Sequence, residues 1–216
     1  MISRRQFLKD AGLLVFGASL GAVALDAGCK GAAKNTTPTT YPTVPNLNYL
    51  MTVDPVTADN QDLPQTPISG LHVYGEATPT FNTQGFTLKI YGLVDNPLTL
   101  TLADFQKYER TTQVTLLICP DSLVDNPQFG GVLLATLLRA AGVQPAAKGV
   151  TFHSVSGTFR HTPIANAVSG DILVADQVDG VALPPAHGYP LRLVQPHVKG
   201  AEWLKWLTGI EVTDQG

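Results

Sequence analysis

Along 86–94 apolar and polar positions alternate: Phe86, Leu88 and Ile90 stand against Thr87, Lys89 and Tyr91, and the pattern breaks at Asp95-Asn96-Pro97. A period of two predicts a half-buried strand closed by a turn. Leu98, Leu100 and Leu102 restart the alternation. Thr101 then stands as a cap with Asp104 in the first turn, which predicts a short helix over 103–108. The run Leu116-Leu117-Ile118-Cys119-Pro120 does not alternate. Consecutive large apolar residues need cover on both faces, so 114–118 reads as a buried strand. Pro120 stops pairing and leaves the Cys119 thiol where the strand breaks into a loop. A helical period runs through 132–141, with Gly142 ending it. Further strands are predicted at 150–155, which carries His153, and at 172–175, 191–194 and 209–212. A short helix or turn is predicted at 163–168, and a tight turn at Asp179-Gly180. Short strands and small helices without a βαβ rhythm predict an α+β domain built of mixed short-strand sheets.

Upstream of this domain the pattern changes twice. Residues Ser3-Arg4-Arg5-Gln6-Phe7-Leu8-Lys9 match the twin-arginine export pattern, and a mildly apolar segment, 11–25, follows. That segment is too short and too weakly hydrophobic for a spanning helix and reads as a signal core. The expectation is export, to the periplasm or the outer face of the cell membrane, by a route that carries folded proteins. Ala27-Gly28-Cys29 resembles a lipoprotein processing site; simple cleavage and an uncleaved anchor are the alternatives. Residues 30–65 are rich in Pro and Thr and show no period, which predicts an extended tether, with 47–53 a candidate to pack on the domain surface. The expected organisation is a signal at 1–29, a linker at 30–65 and one domain at 66–216, with a membrane met only through signal or lipid.

Composition narrows the chemistry. The 216 residues are 44% hydrophobic and 14% charged, with 20 Gly and 16 Pro, which agrees with short strands and turns. A net charge of -3 gives no reason to expect nucleic acid. Two cysteines are present, Cys29 and Cys119. If Cys29 carries lipid, Cys119 is a free thiol, a metal ligand or a buried small hydrophobe, the last being a common fate of cysteine. No Gly-rich phosphate loop, paired-cysteine zinc motif, haem-attachment motif, nucleophile elbow or HExxH occurs.

Three segments carry a family resemblance: Leu88-Lys89-Ile90-Tyr91-Gly92-Leu93-Val94-Asp95-Asn96-Pro97; the strand ending in Cys119 with Phe129-Gly130-Gly131; and Gly180-Val181-Ala182-Leu183-Pro184-Pro185-Ala186-His187-Gly188-Tyr189-Pro190-Leu191-Arg192, with Lys205-Trp206-Leu207 following. Together they resemble the sulfite-oxidase-like molybdopterin-binding domain family. The resemblance implies a molybdenum cofactor, with Cys119 as the protein ligand to the metal; a soft thiolate suits that role. It places His187, Arg192 and Lys205 at the pterin and its phosphate. Arg192 in an apolar strand would otherwise be an expensive buried charge. Arg160 falls in a segment that approaches the family's active site, and Asp176 stands where the family has an active-site tyrosine, so both are candidates.

The sequence also departs from the family. Glu202 and Trp203 replace a basic and a small polar residue, which weakens the expected phosphate site. Gly75 and Glu76 replace Asn-His, and Pro120-Asp121-Ser122 replaces the loop that follows the cysteine. Asp121, Asp125 and Asp176 would oppose an anion such as sulfite. The expected activity is therefore two-electron oxygen-atom transfer on a small neutral substrate. A separate redox protein or membrane subunit would handle the electrons, since no haem or flavin motif is present. The alternative is a non-catalytic binding module that kept the fold and lost the cofactor.

Overall fold

The computed structural model describes residues 43–120 and 122–216. The signal segment, Cys29 and the first part of the tether lie outside the described residues. In chain order the strands and helices are β1 Thr87–Gly92, β2 Leu98–Thr101, α1 Leu102–Phe105, β3 Thr111–Val114, β4 Leu117–Cys119, β5 Leu123–Asp125, β6 Gln128–Leu133, α2 Leu134–Ala141, β7 Gly149–Ser154, β8 Phe159–Pro163, α3 Ile164–Ala167, β9 Leu173–Val178, β10 Val181–Ala182, β11 Arg192–Val194 and β12 Leu207–Thr213. The architecture is the expected α+β arrangement of short-strand sheets with small helices.

Local chemistry sets several boundaries. Thr101 caps α1 by accepting the Asp104 backbone N–H at 3.1 Å, and Asp104 closes the box from the other side. Gly142 ends α2 at φ 71°, a conformation that disfavours residues with a Cβ. The Tyr189-Pro190 peptide is cis.

Five strands form the first sheet in the order β2-β1-β12-β7-β8, and β1 runs parallel to β12. The second sheet runs β10-β9-β6-β3, with β11 also paired to β9; β4 and β5 form a separate ribbon. Side chains alternate across β9. Val174 joins Leu88, Ile90, Leu137 and Ile210 in the core shared with the first sheet. Leu173 and Ala175 face the other way and pack with Phe129, Leu117, Leu123 and Trp203. The ribbon is thus layered on the outer face of the second sheet.

Adjacent residues of the apolar run meet different cores: Leu117 packs toward the second sheet, while Ile118 and Leu116 pack with Leu47. That two-sided cover is what the unbroken apolar run required. The expected surface packing of 47–53 is present and extends further along the tether, to Leu63. Leu47 is buried, and Leu50, Met51, Ala58 and Leu63 pack onto the ribbon's outer side. Asn60 Nδ2 reaches the Val114 carbonyl at 2.7 Å. Four short strands escaped the periodicity: β5, β8 and β10, for which no strand is predicted, and β6, whose last two residues the helical period at 132–141 takes in. The apolar run at 114–118 is also divided, with Thr115 and Leu116 separating β3 from β4.

Candidate functional site

One cavity of about 380 Å³ opens where the ribbon, the Pro185–His187 turn, the Gly200–Glu202 turn and β8 meet. It gathers Cys119, His187, Arg192, Lys205 and Arg160 from segments far apart in the chain.

Cys119 ends β4, where its pairing with Leu123 of β5 stops, and is a free thiol. Burial pushes its pKa up; the Arg192 guanidinium pulls it down and buried Asp125 pushes it up further. The Gly200–Glu202 turn lies directly against the sulfur, so a methyl on Gly200 would collide with Cys119 Sγ. Glycine is what allows that approach.

Arg192 opens β11, opposite Ala175 of β9. Its side chain is buried and has no carboxylate partner among the described residues. Nη1 donates to the His187 carbonyl at 3.1 Å, and the guanidinium lies 5.5 Å from the ring centroids of Phe129 and Trp203. Nε is buried without a partner. Burial lowers the Arg192 pKa to about 10. His187 sits beside it with its pKa lowered, first by burial and then by the positive charges of Arg192 and Lys205.

Lys205 Nζ donates to the carbonyls of Tyr74, at 2.9 Å, and Ala186, at 3.2 Å, and lies 4.7 Å from the Trp206 ring centroid. An ammonium has three donors, so one remains for a ligand. Burial, then Arg192, lower its pKa. Arg160 is more committed: it donates to the Ala201 and Phe159 carbonyls and lies 4.0 Å from Glu202. Glu76, on the same wall, is held ionised by hydrogen bonds from Ser156 and Thr158.

Asp176 is not brought into the cavity. The pairing runs Gly130 with Gln177 and then Gly131 with Ala175, which leaves Asp176 as the extra residue of a β-bulge. The bulge turns its buried carboxylate to Gln106 Nε2, at 2.9 Å, and to the Arg110 guanidinium. There it forms an ion pair with Arg110 outside the cavity, at the position the family resemblance made an active-site candidate.

His72 and Lys199 also line the cavity, and no local motif marks either of them. His72 is held by Asp125, 53 residues away. A pairing over that separation leaves no local pattern to find.

Comparison with known proteins follows the same outline. The family model described as an oxidoreductase molybdopterin binding domain matches residues 75–216. The chain is 33% identical over 132 residues to YuiH, an uncharacterized oxidoreductase of Bacillus subtilis, covering 60% of this chain and 66% of that protein. It is 33% identical over 101 residues to the mitochondrial sulfite oxidase of Drosophila melanogaster, covering 43% of this chain and 18% of that protein. The solved structure of the sulfane dehydrogenase SoxCD from Paracoccus pantotrophus matches with a TM-score of 0.66 at 26% identity, covering 86% of this chain and 56% of that chain. The chain therefore spans less than two thirds of the length of each of these relatives.

Proposed function

The chain belongs to the oxidoreductase molybdopterin-binding domain family, and on that footing we propose oxygen-atom transfer, to or from a small neutral substrate, at a molybdenum centre with Cys119 as its protein ligand. The observation that carries this reading is Arg192, a buried guanidinium with no carboxylate at ion-pair distance among the described residues, which shares a cavity with a free thiol. A buried charge without an ion-pair partner is costly to fold around, and an anionic ligand offsets that cost.

The residues present fit such a cofactor. Arg192 and the spare Lys205 donor suit a phosphate, and the Arg192 charge beside Cys119 favours the thiolate that metal binding requires. Among the described residues no three His, Cys, Asp or Glu side chains converge on a metal position, so a metal held by Cys119 takes its other ligands from the cofactor. When bound, that cofactor supplies two-electron oxygen-atom chemistry. His187, with its depressed pKa, is a neutral hydrogen-bonding edge toward the pterin. A neutral substrate is favoured because Arg160 is engaged by Glu202 and two carbonyls, while ionised Glu76 lines the same wall.

Electrons would pass to a separate redox protein or membrane subunit. Export by the twin-arginine route is supported by Ser3-Arg4-Arg5-Gln6-Phe7-Leu8-Lys9, and it would load the cofactor before transit. Elemental and pterin analysis of protein exported from a cofactor-competent host tests the reading. Wild type is expected to carry molybdenum and Cys119→Ser to lose it. Metal-free wild type from such a host would leave the non-catalytic module as the surviving reading.

A further inference from the structure

The sequence holds two tryptophans, Trp203 and Trp206, and both are buried. A buried indole N–H ordinarily finds an acceptor. Trp206 obeys this, donating to the Pro185 carbonyl at 2.8 Å. Trp203 does not: its Nε1 is buried with no partner, as is Arg192 Nε. Among the described residues these two are the buried side-chain polar atoms left unmet, and both residues line the cavity at Cys119. They are also neighbours, with the guanidinium 5.5 Å from the Trp203 ring centroid. Packing explains the ring, which sits edge-on to Phe129 at 5.8 Å. It does not explain the indole N–H, which packing leaves buried without an acceptor.

We infer that the Trp203 indole N–H and Arg192 Nε–H are a paired donor seat for an anionic oxygen of the bound cofactor, a phosphate oxygen being the acceptor class that suits one cationic and one neutral donor. Trp203 stands where the resembling family carries a small polar residue, so the indole supplies the donor that a hydroxyl would. The indole would then make up for the lost small polar donor, while the basic residue that Glu202 replaces has no such substitute. The Gly200–Glu202 turn, fixed against Cys119 Sγ, sets the position of Trp203, its next residue.

This inference rests on the molybdopterin reading, and the two fail differently. Trp203→Phe keeps an aromatic ring beside Phe129 and Arg192 while removing the N–H together with part of the indole's volume. Loss of one hydrogen bond to a charged acceptor predicts roughly 10- to 100-fold faster release of cofactor, followed as pterin fluorescence and molybdenum content over time. Urea midpoints of the cofactor-free proteins measure the packing cost of the smaller ring, so the indole signal of wild type carries the test of the donor itself. In ¹H–¹⁵N spectra of the full chain the Trp203 indole signal, assigned by its absence in Trp203→Phe, should move downfield on loading while that of Trp206 stays in place. Equal cofactor retention in the two proteins, or an unmoved Trp203 signal in molybdenum-loaded wild type, overturns the donor seat and spares the molybdopterin reading. Wild type that never takes up molybdenum overturns both.

Discussion

The His72 ring Nδ1 lies 2.8 Å from a carboxylate oxygen of Asp125, whose other oxygen accepts the His72 backbone N–H at 3.0 Å. Asp125 is almost fully buried, whereas the His72 side chain is half exposed and lines the cavity. Asp125 pairs with Leu117 on the ribbon, two residues before Cys119. The carboxylate thus pins the segment carrying His72, Tyr74, Gly75 and Glu76 against the strand that carries the thiol. Asp125→Ala removes both acceptors and should destabilise the protein by about 1–3 kcal/mol. His72→Ala keeps the backbone bond and should cost less. Urea midpoints at unchanged slope measure both.

Arg192 gives the opposite sign in the absence of cofactor. Replacing a buried, unpaired guanidinium with an apolar chain of similar length removes a desolvation cost. Arg192→Met should therefore leave the cofactor-free protein unchanged or more stable, by up to about 3 kcal/mol. The same variant should retain little molybdenum. Calorimetry of the cofactor-free protein beside metal analysis of the exported protein checks the two halves.

Gly200 is a steric requirement. A Cβ there would meet Cys119 Sγ and Leu117 Cδ1, both held in packed positions. Gly200→Ala should cost about 1–3 kcal/mol by overpacking and should lower molybdenum content by displacing the turn from the thiol. Thermal unfolding and metal analysis of the one variant test both effects.

The thiol itself makes a kinetic prediction. Burial and Asp125 raise the Cys119 pKa above its ordinary value of 9.0, with Arg192 offsetting part of the rise. In cofactor-free protein, alkylation by iodoacetamide should be slow at pH 7.5 and accelerate only past pH 9, because the thiolate is the nucleophile. Rapid labelling near neutral pH would instead support a redox-sensing cysteine. Loaded protein should not label at all.

His187 sets an acid limit. Its pKa in the folded state lies below 6.5, so as pH falls through 6.5 the unfolded chain takes up a proton that the folded chain refuses. The unfolded state then binds more protons, and stability falls with pH from 6.5 down to the folded value. His187→Gln should flatten this stretch of the pH–stability curve, measured by urea unfolding of the cofactor-free protein.

The sequence by itself determined the local elements and much of the cavity's membership. Alternation gave β1 and β2, the Thr101–Asp104 cap gave α1, and Gly142 gave the end of α2, because each depends on residues within a turn of one another. The unbroken run before Pro120 correctly implied a strand covered on both faces. The thiol, the basic residues and His187 were legible because the motif segments carry them in fixed order. What only the tertiary structure decided depends on long-range register. The bulge opposite Gly130 and Gly131 turned Asp176 away from the cavity to Arg110, and no local pattern announces an extra residue in a strand. The extension of the tether's packing beyond 53, to Ala58 and Leu63, needed the ribbon's own apolar side. The Asp125 grip on His72 and the two unmet donors on Trp203 and Arg192 exist only once distant segments close on one another, since whether a buried polar atom has a partner is a property of the assembled fold.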